Sequence, residues 1–258
     1  MRLVIAFSAI ASIVGSLEWV RLRRHLQDEQ LFSWRIQSVV GTPSFALNYV
    51  FAYPRCLMLP ILQILFSLPL LVPAMPATAA GVSAICAALC AFLLSIRGVD
   101  GFNGGDAMAK LVLLSGGVCL LTGSAALMNA GLVFLAGQLV IAYSTPGFCR
   151  ILDRDWHTGK RIMGVLRTET FGRPWAWQLL RSHPWLAHAV GSGIAIWETF
   201  FAVYLFLPLE LLLPLLLIGV AFHTSNAVVM GLNIFPWSFI GTYPAVVWTA
   251  LFIRGAIW

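Results

Sequence analysis

Residues 208–230 read Pro-Leu-Glu-Leu-Leu-Leu-Pro-Leu-Leu-Leu-Ile-Gly-Val-Ala-Phe-His-Thr-Ser-Asn-Ala-Val-Val-Met. A run of this length and apolarity spans a bilayer, because about 20 apolar residues cover the hydrocarbon core. The polar positions inside it are spaced, not scattered. Gly219, His223, Asn226, Met230 and then Asn233 follow one another at steps of three and four, so they share one helical face. A polar stripe on such a helix has to face other helices or a wet cavity, since lipid cannot satisfy it.

Outward from this run the same hydropathy recurs at roughly 3–20, 56–75, 79–96, 107–127, 130–149, 186–206 and 236–254, which makes eight expected spans with the first. Composition agrees. Of 258 residues, 60% are hydrophobic and only 10% charged, against about 25% charged in soluble domains. Mean hydropathy is +0.88. So few charges cannot coat a water-soluble fold, and disorder, collagen and disulfide scaffolds fail on the same composition. The expected class is all-α: a polytopic membrane helix bundle of about eight transmembrane helices with a cytoplasmic interfacial segment. With no long linker, low-complexity tract or repeat, residues 1–258 read as one domain. Met1-Arg2 followed by Leu3–Gly15 has the look of a signal peptide but reads here as a short first span.

The basic residues orient the chain. Arg21, Arg23, Arg24, Arg35 and Arg55 lie between spans one and two. Arg97 and Lys110 flank the connection of spans three and four, and Arg150, Arg154, Lys160, Arg161, Arg167, Arg173 and Arg181 crowd that of spans five and six. Of the 16 Lys and Arg residues, only Arg2 and Arg254 fall on the other side. The positive-inside rule places the basic loops in the cytoplasm and both termini outside. The net charge of +6 is therefore read as basic loops meeting anionic headgroups, with membrane lipids and other membrane subunits as partners and no nucleic acid. The five cysteines, Cys56, Cys86, Cys90, Cys119 and Cys149, show no zinc or redox spacing. Small residues every four positions, Ser115–Cys119–Gly123 and Ala187–Gly191–Ala195, predict close helix-packing seams.

Several polar groups stand where lipid would penalise them. Glu198 lies in the middle of the sixth span, either as a structural carboxyl or as a site residue. Two loops also stand out. Arg97 to Asp106 contains Asn103-Gly104-Gly105-Asp106 at the start of the fourth span, a turn that can hold an anion or merely cap the helix. Arg150 to Arg161 alternates Asp153, Asp155 and His157 among cations, a pattern read as a solvated interfacial loop with no metal. Trp175, Trp177 and Trp185 read as interfacial anchors of a surface-lying segment.

Taken together, these segments resemble a known family. Gly147-Phe148-Cys149-Arg150-Ile151-Leu152, followed by Asp155-Trp156-His157-Thr158-Gly159, is similar to its G-x-A-K-L … W-x-x-G segment. Phe222-His223 through Met230-Gly231-Leu232-Asn233-Ile234-Phe235-Pro236-Trp237 is similar to its F-H … M-G-L-N-x-F-P-W signature. Asn103-Gly104-Gly105-Asp106 and Glu198 fall where it places an N-G-G-D turn and a membrane Glu. The family is the horizontally transferred transmembrane (HTTM) domain, the membrane part of vitamin K-dependent γ-glutamyl carboxylase and of shorter bacterial proteins. The resemblance covers roughly residues 40–255 and implies the inner membrane of a bacterium.

What it implies about chemistry is carried residue by residue. The resemblance implies a quinone or lipid ligand and a role in membrane redox chemistry or peptide maturation. Glu198, His223 and His157 are then the catalytic candidates, and Arg150, Trp156, Asn226, Asn103 and Asp106 the candidates for holding the ligand. Where the family carries its base lysine, this chain has Arg150, and a guanidinium stays protonated and cannot act as a general base. Two classes therefore stay open: a quinone- or lipid-linked membrane enzyme, and a non-catalytic membrane subunit that keeps the scaffold of the family. Glu198 and His223, on adjacent spans at comparable depth, are expected to approach each other.

Overall fold

The computed structural model describes residues 1–40, 44–98 and 103–255. It divides into two compact units, Met1–Gly131 and Leu132–Trp258. The first unit contains α1 (Arg2–Arg21), α2 (Trp34–Gln37), α3 (Phe45–Phe51), α4 (Met58–Ser67), α5 (Ala77–Arg97), α6 (Gly104–Thr122) and the start of α7 (Ala125–Leu152). The second holds the rest of α7, then α8 (Arg154–His157), α9 (Lys160–Leu166), α10 (Pro174–Ser182), α11 (Pro184–Thr199), α12 (Phe201–Tyr204) and α13 (Leu209–Met230). A π-helical turn (Pro236–Ile240) and α14 (Tyr243–Ile253) complete it. Among the described residues there is no strand.

Five of these helices, α1, α5, α6, α7 and α13, are long and apolar enough to cross a membrane; a sixth span is made if the bent pair Phe45–Phe51 and Arg55–Leu71 is taken as one. The chain is a multi-pass integral membrane protein built of helices.

Three expected spans take a different form. The second, expected at 56–75, is set at 78° to the helix before it across Ala52-Tyr53-Pro54, where Ala52 is extended and Pro54 disfavours helix in the residue before it. Its far end tightens into a 3-10 turn at Leu68–Leu71 around Pro69, which has no N–H to give. The sixth and eighth spans are each assembled from pieces too short to cross alone. Phe200 separates α11 from the single turn of α12, and the π-helical turn precedes an α14 of 11 residues.

Within the first unit α5 and α6 meet at glycine. A Cβ on Gly117 would stand 2.8 Å from the Ile85 side chain and 3.0 Å from the Gly81 carbonyl oxygen. Of the expected seam Ser115–Cys119–Gly123 only Cys119 packs closely, buried with its Sγ where a Cβ on Gly131 would land. Gly123 ends α6 in the left-handed conformation, φ 63°. The Ser115 hydroxyl donates back to the Leu111 carbonyl at 2.6 Å. The seam in the second unit is as expected: Ala195 is fully buried, Ala187 packs where a Cβ on Gly159 would land, and Gly191 lies under the Trp156 carbonyl.

Arg97, expected as a loop cation, is wholly buried. Its guanidinium donates to the Phe51 carbonyl (3.0 Å), Gln37 Oε1 (2.7 Å) and the Phe32 carbonyl (2.9 Å), and lies 5.6 Å from the Trp34 ring centroid. Trp34 stacks edge-on against Phe51. One side chain at the end of α5 thereby fastens the segment carrying α2 and α3.

Candidate functional site

The second unit gathers most of the residues that the sequence singles out, in two clusters. The first forms where α7 ends. Asp153 caps α8, its Oδ1 accepting from the Asp155 N–H at 2.9 Å, and this cap turns the chain just past Arg150. The Arg150 guanidinium then reaches Glu198 on α11 and forms an ion pair with it, while lying 4.7 Å from the Trp156 ring centroid. Gly147 makes the approach of α7 to α11 possible, since a Cβ there would overlap the Glu198–Thr199 backbone. Glu198 is 3% exposed and the Arg150 side chain 23%. A buried carboxylate needs such a partner, because desolvation is costly without one.

His157 belongs to the same cluster but is fully engaged. Its Nε2 is 2.9 Å from the Ile151 carbonyl, which can only accept, so Nε2 carries the proton. Nδ1 is 3.3 Å from the Ser192 hydroxyl. In the neighbouring turn Arg161 donates to Asp153 at 2.8 Å, and Lys160 pairs with Asp155 at 3.7 Å. The Asp155 N–H, and after it Arg161, hold the Asp153 carboxyl below its usual range. Among the described residues no group of three or more His, Cys, Asp and Glu side chains is placed to hold a metal.

The second cluster surrounds His223. This histidine is 2% exposed. Its Nε2 is 2.6 Å from the Tyr143 hydroxyl on α7, which is itself 3.0 Å from the Tyr243 hydroxyl on α14. Phe239 of the π-helical turn stacks on the imidazole at 4.5 Å and 9°. Tyr143 meets Trp197 edge-on at 4.9 Å and Phe201 at 4.4 Å. Gly219 earns its place in the stripe by leaving room, for a Cβ there would overlap the Tyr243 hydroxyl. The Nδ1 of His223 is buried and, among the described residues, bonded to no protein group.

Glu198 and His223 are thus not partners. Each takes a residue of α7, Arg150 for the first and Tyr143 for the second. The stripe on α13 faces inward from Gly219 to His223 and then weakens. Asn226 and Met230 are half-buried, and Asn233 lies beyond the helix end, exposed. Asn103 and Asp106 sit in the other unit. Asn103 Oδ1 accepts from the Asp106 N–H at 2.9 Å and its Nδ2 donates to Asp106 Oδ2 at 2.6 Å. That reciprocal pair closes the first turn of α6. Residues 99–102 of the same loop are outside the described residues. An apolar cleft of about 240 Å³ also lies in the first unit, bounded by Leu3, Ile5, Leu71 and Leu120 with Arg2 at its edge. It contains none of the candidate catalytic or ligand-holding residues.

Tyr143 and Tyr243 escaped the sequence reading, which also took Arg97 for a loop cation. A phenol inside an apolar run was the available signal for the tyrosines, because a buried hydroxyl requires a partner. No family model, curated protein or solved structure matches the chain.

Proposed function

We propose that this chain is an HTTM, vitamin K-dependent carboxylase-like membrane protein of about eight passes, with its basic loops in the cytoplasm of a bacterium. In this reading its second unit holds a carbonyl-bearing apolar ligand of the quinone class. The observation that carries it is His223 Nδ1, a buried polar atom with no protein partner among the described residues, inside aromatic walls. When Tyr243 donates to Tyr143 and Tyr143 to His223 Nε2, the neutral imidazole keeps its proton on Nδ1. An N–H so placed is able to donate to a carbonyl oxygen. His223 then orients the ligand, Tyr143 sets the tautomer, and the aromatic rings exclude water. A quinone bound there would supply two-electron redox chemistry in the membrane.

The Arg150–Glu198 pair favours a second reading, a non-catalytic subunit of a larger membrane assembly. A guanidinium cannot be the base, and a carboxylate already paired with it is not free to become one. Quinone content separates the two. The full chain, purified in mild detergent, should carry extractable quinone in near-stoichiometric amount, and His223→Asn should lose it while eluting as the native species. Quinone-free protein that always co-purifies with other membrane subunits would support the scaffold reading instead.

A further inference from the structure

The stretch from Arg167 to Trp185 contains a helix too short to cross a membrane and yet exposes large apolar side chains. Its helix, α10, has nine residues, less than half of the about 20 required. One face is fastened to the unit, with Ala176 and Leu180 buried against Leu166 of α9 and Ala187 of α11. The neighbouring face, about 100° round the helix, is therefore held in a fixed orientation. It carries Trp175 and Leu179, one turn apart and 54% and 44% exposed, with Phe171 (40%) before the helix and Trp185 (67%) after it.

Cations are interleaved with these residues. Arg167, Arg173 and Arg181 are exposed, and none of them forms a salt bridge among the described residues. Arg181 lies 5.0 Å from the Trp177 ring centroid. Glu169 is the one carboxylate between Arg167 and Trp185. The exposed apolar residues of α13, such as Leu213, Leu217 and Ile218, have no cation nearby in sequence. That is the pattern of a helix facing acyl chains alone. Aromatic and leucine side chains on one face of a short helix, ringed by guanidinium groups, match a depth where hydrocarbon gives way to phosphate.

We infer that the segment 167–185 is a binding surface for anionic phospholipid. Phe171, Trp175, Leu179 and Trp185 enter the boundary between headgroups and acyl chains. Arg167, Arg173 and Arg181 hold lipid phosphates, and net negative headgroups are preferred because Glu169 offsets only one of the three charges. The surface shares no residue with the His223 cluster and does not depend on what that cluster binds.

Native mass spectrometry of the detergent-solubilised full chain, titrated with phosphatidylglycerol and with phosphatidylcholine, tests this. Wild type should bind phosphatidylglycerol at least ten-fold more tightly. Arg167→Gln/Arg173→Gln/Arg181→Gln should lose about a hundred-fold in that affinity. This is roughly five-fold per arginine, the factor equivalent to about 1 kcal/mol per cation at an anionic leaflet. Arg21→Gln/Arg23→Gln/Arg24→Gln should keep most of the preference. If the first triple variant fails to fold, Arg167→Lys/Arg173→Lys/Arg181→Lys should retain the preference, and wild-type binding should fall steeply between about 0.05 M and about 0.5 M ammonium acetate. Equal affinity for the two lipids, a preference indifferent to the glutamines or to salt, displacement of the lipid by millimolar inorganic phosphate, or a co-purifying protein covering the segment would each overturn the inference.

Discussion

Replacing Arg150 with Met removes the charge from the α7–α11 contact while keeping most of the side-chain volume. The consequence is unequal for the two partners. Glu198 is 3% exposed, so without Arg150 its carboxylate is stranded; the Arg150 side chain is 23% exposed and can swing outward when Glu198 is lost. Removing one member of a buried pair costs about 3–5 kcal/mol, because the survivor's desolvation is no longer offset. Arg150→Met should show this full range, and Glu198→Gln roughly half of it or less. At about 2–4 °C per kcal/mol for a chain of this size, Arg150→Met should lower the apparent melting temperature by roughly 10 °C, read by fluorescence-detected size exclusion after heating. Arg150→Met combined with Glu198→Met leaves no charge to bury and should recover most of the loss. A single Arg150→Met variant within about 2 °C of wild type would refute the reasoning. So would a double variant whose loss equals the sum of the two singles.

Other consequences are open to test. Tyr143→Phe removes the hydroxyl partner of His223 Nε2 and should reduce quinone content as His223→Asn does, whereas Tyr243→Phe should reduce it less, since that hydroxyl touches Tyr143 and not the imidazole. Arg97→Gln withdraws most of a three-fold clamp and should cost roughly 3 kcal/mol, with faster amide exchange in Trp34–Gln37 and Phe45–Phe51 as its local signature; unchanged exchange there would remove the clamp role. Gly147→Val places a branched side chain against the Glu198–Thr199 backbone and should destabilise by about 1–3 kcal/mol or more, a penalty that Gly137→Val, with open space beside it, should not share. A cysteine at position 170, introduced with Cys149→Ser, should react with a membrane-impermeant maleimide in inverted vesicles and not in intact cells; the reverse pattern would invert the topology.

The features legible in the sequence are those set by neighbours along the chain. Hydropathy over about 20 residues marks a span without knowledge of any partner, so α1, α5, α6, α7 and α13 lie close to their expected places. The Asn103–Asp106 cap joins residues three apart, and the α11 seam repeats every four. The proline breaks were also visible as prolines, but their size, such as the 78° bend before Pro54, depends on what packs against each half.

Tertiary structure decided which polar groups meet. The helical period shows that Gly219 and His223 share a face, yet not which helix that face meets. The answer is α7 and α14, through Tyr143 and Tyr243. Glu198 and His223 were matched by depth, but depth leaves rotation about the helix axis undetermined. The actual rotation turns Glu198 to Arg150, 48 positions away, and His223 to Tyr143, 80 positions away. A step of one residue rotates a helix face by about 100°, which is why Gly116 and Gly117 meet Ile5 and Ile85 while the Ser115 hydroxyl turns back on its own helix. Burial of Arg97 has the same origin: the Phe32 and Phe51 carbonyls that receive it are brought to the end of α5 only by the folded chain. Composition determined that this protein lives in a membrane; helix rotation and crossing, which no local stretch encodes, determined where its charges are neutralised.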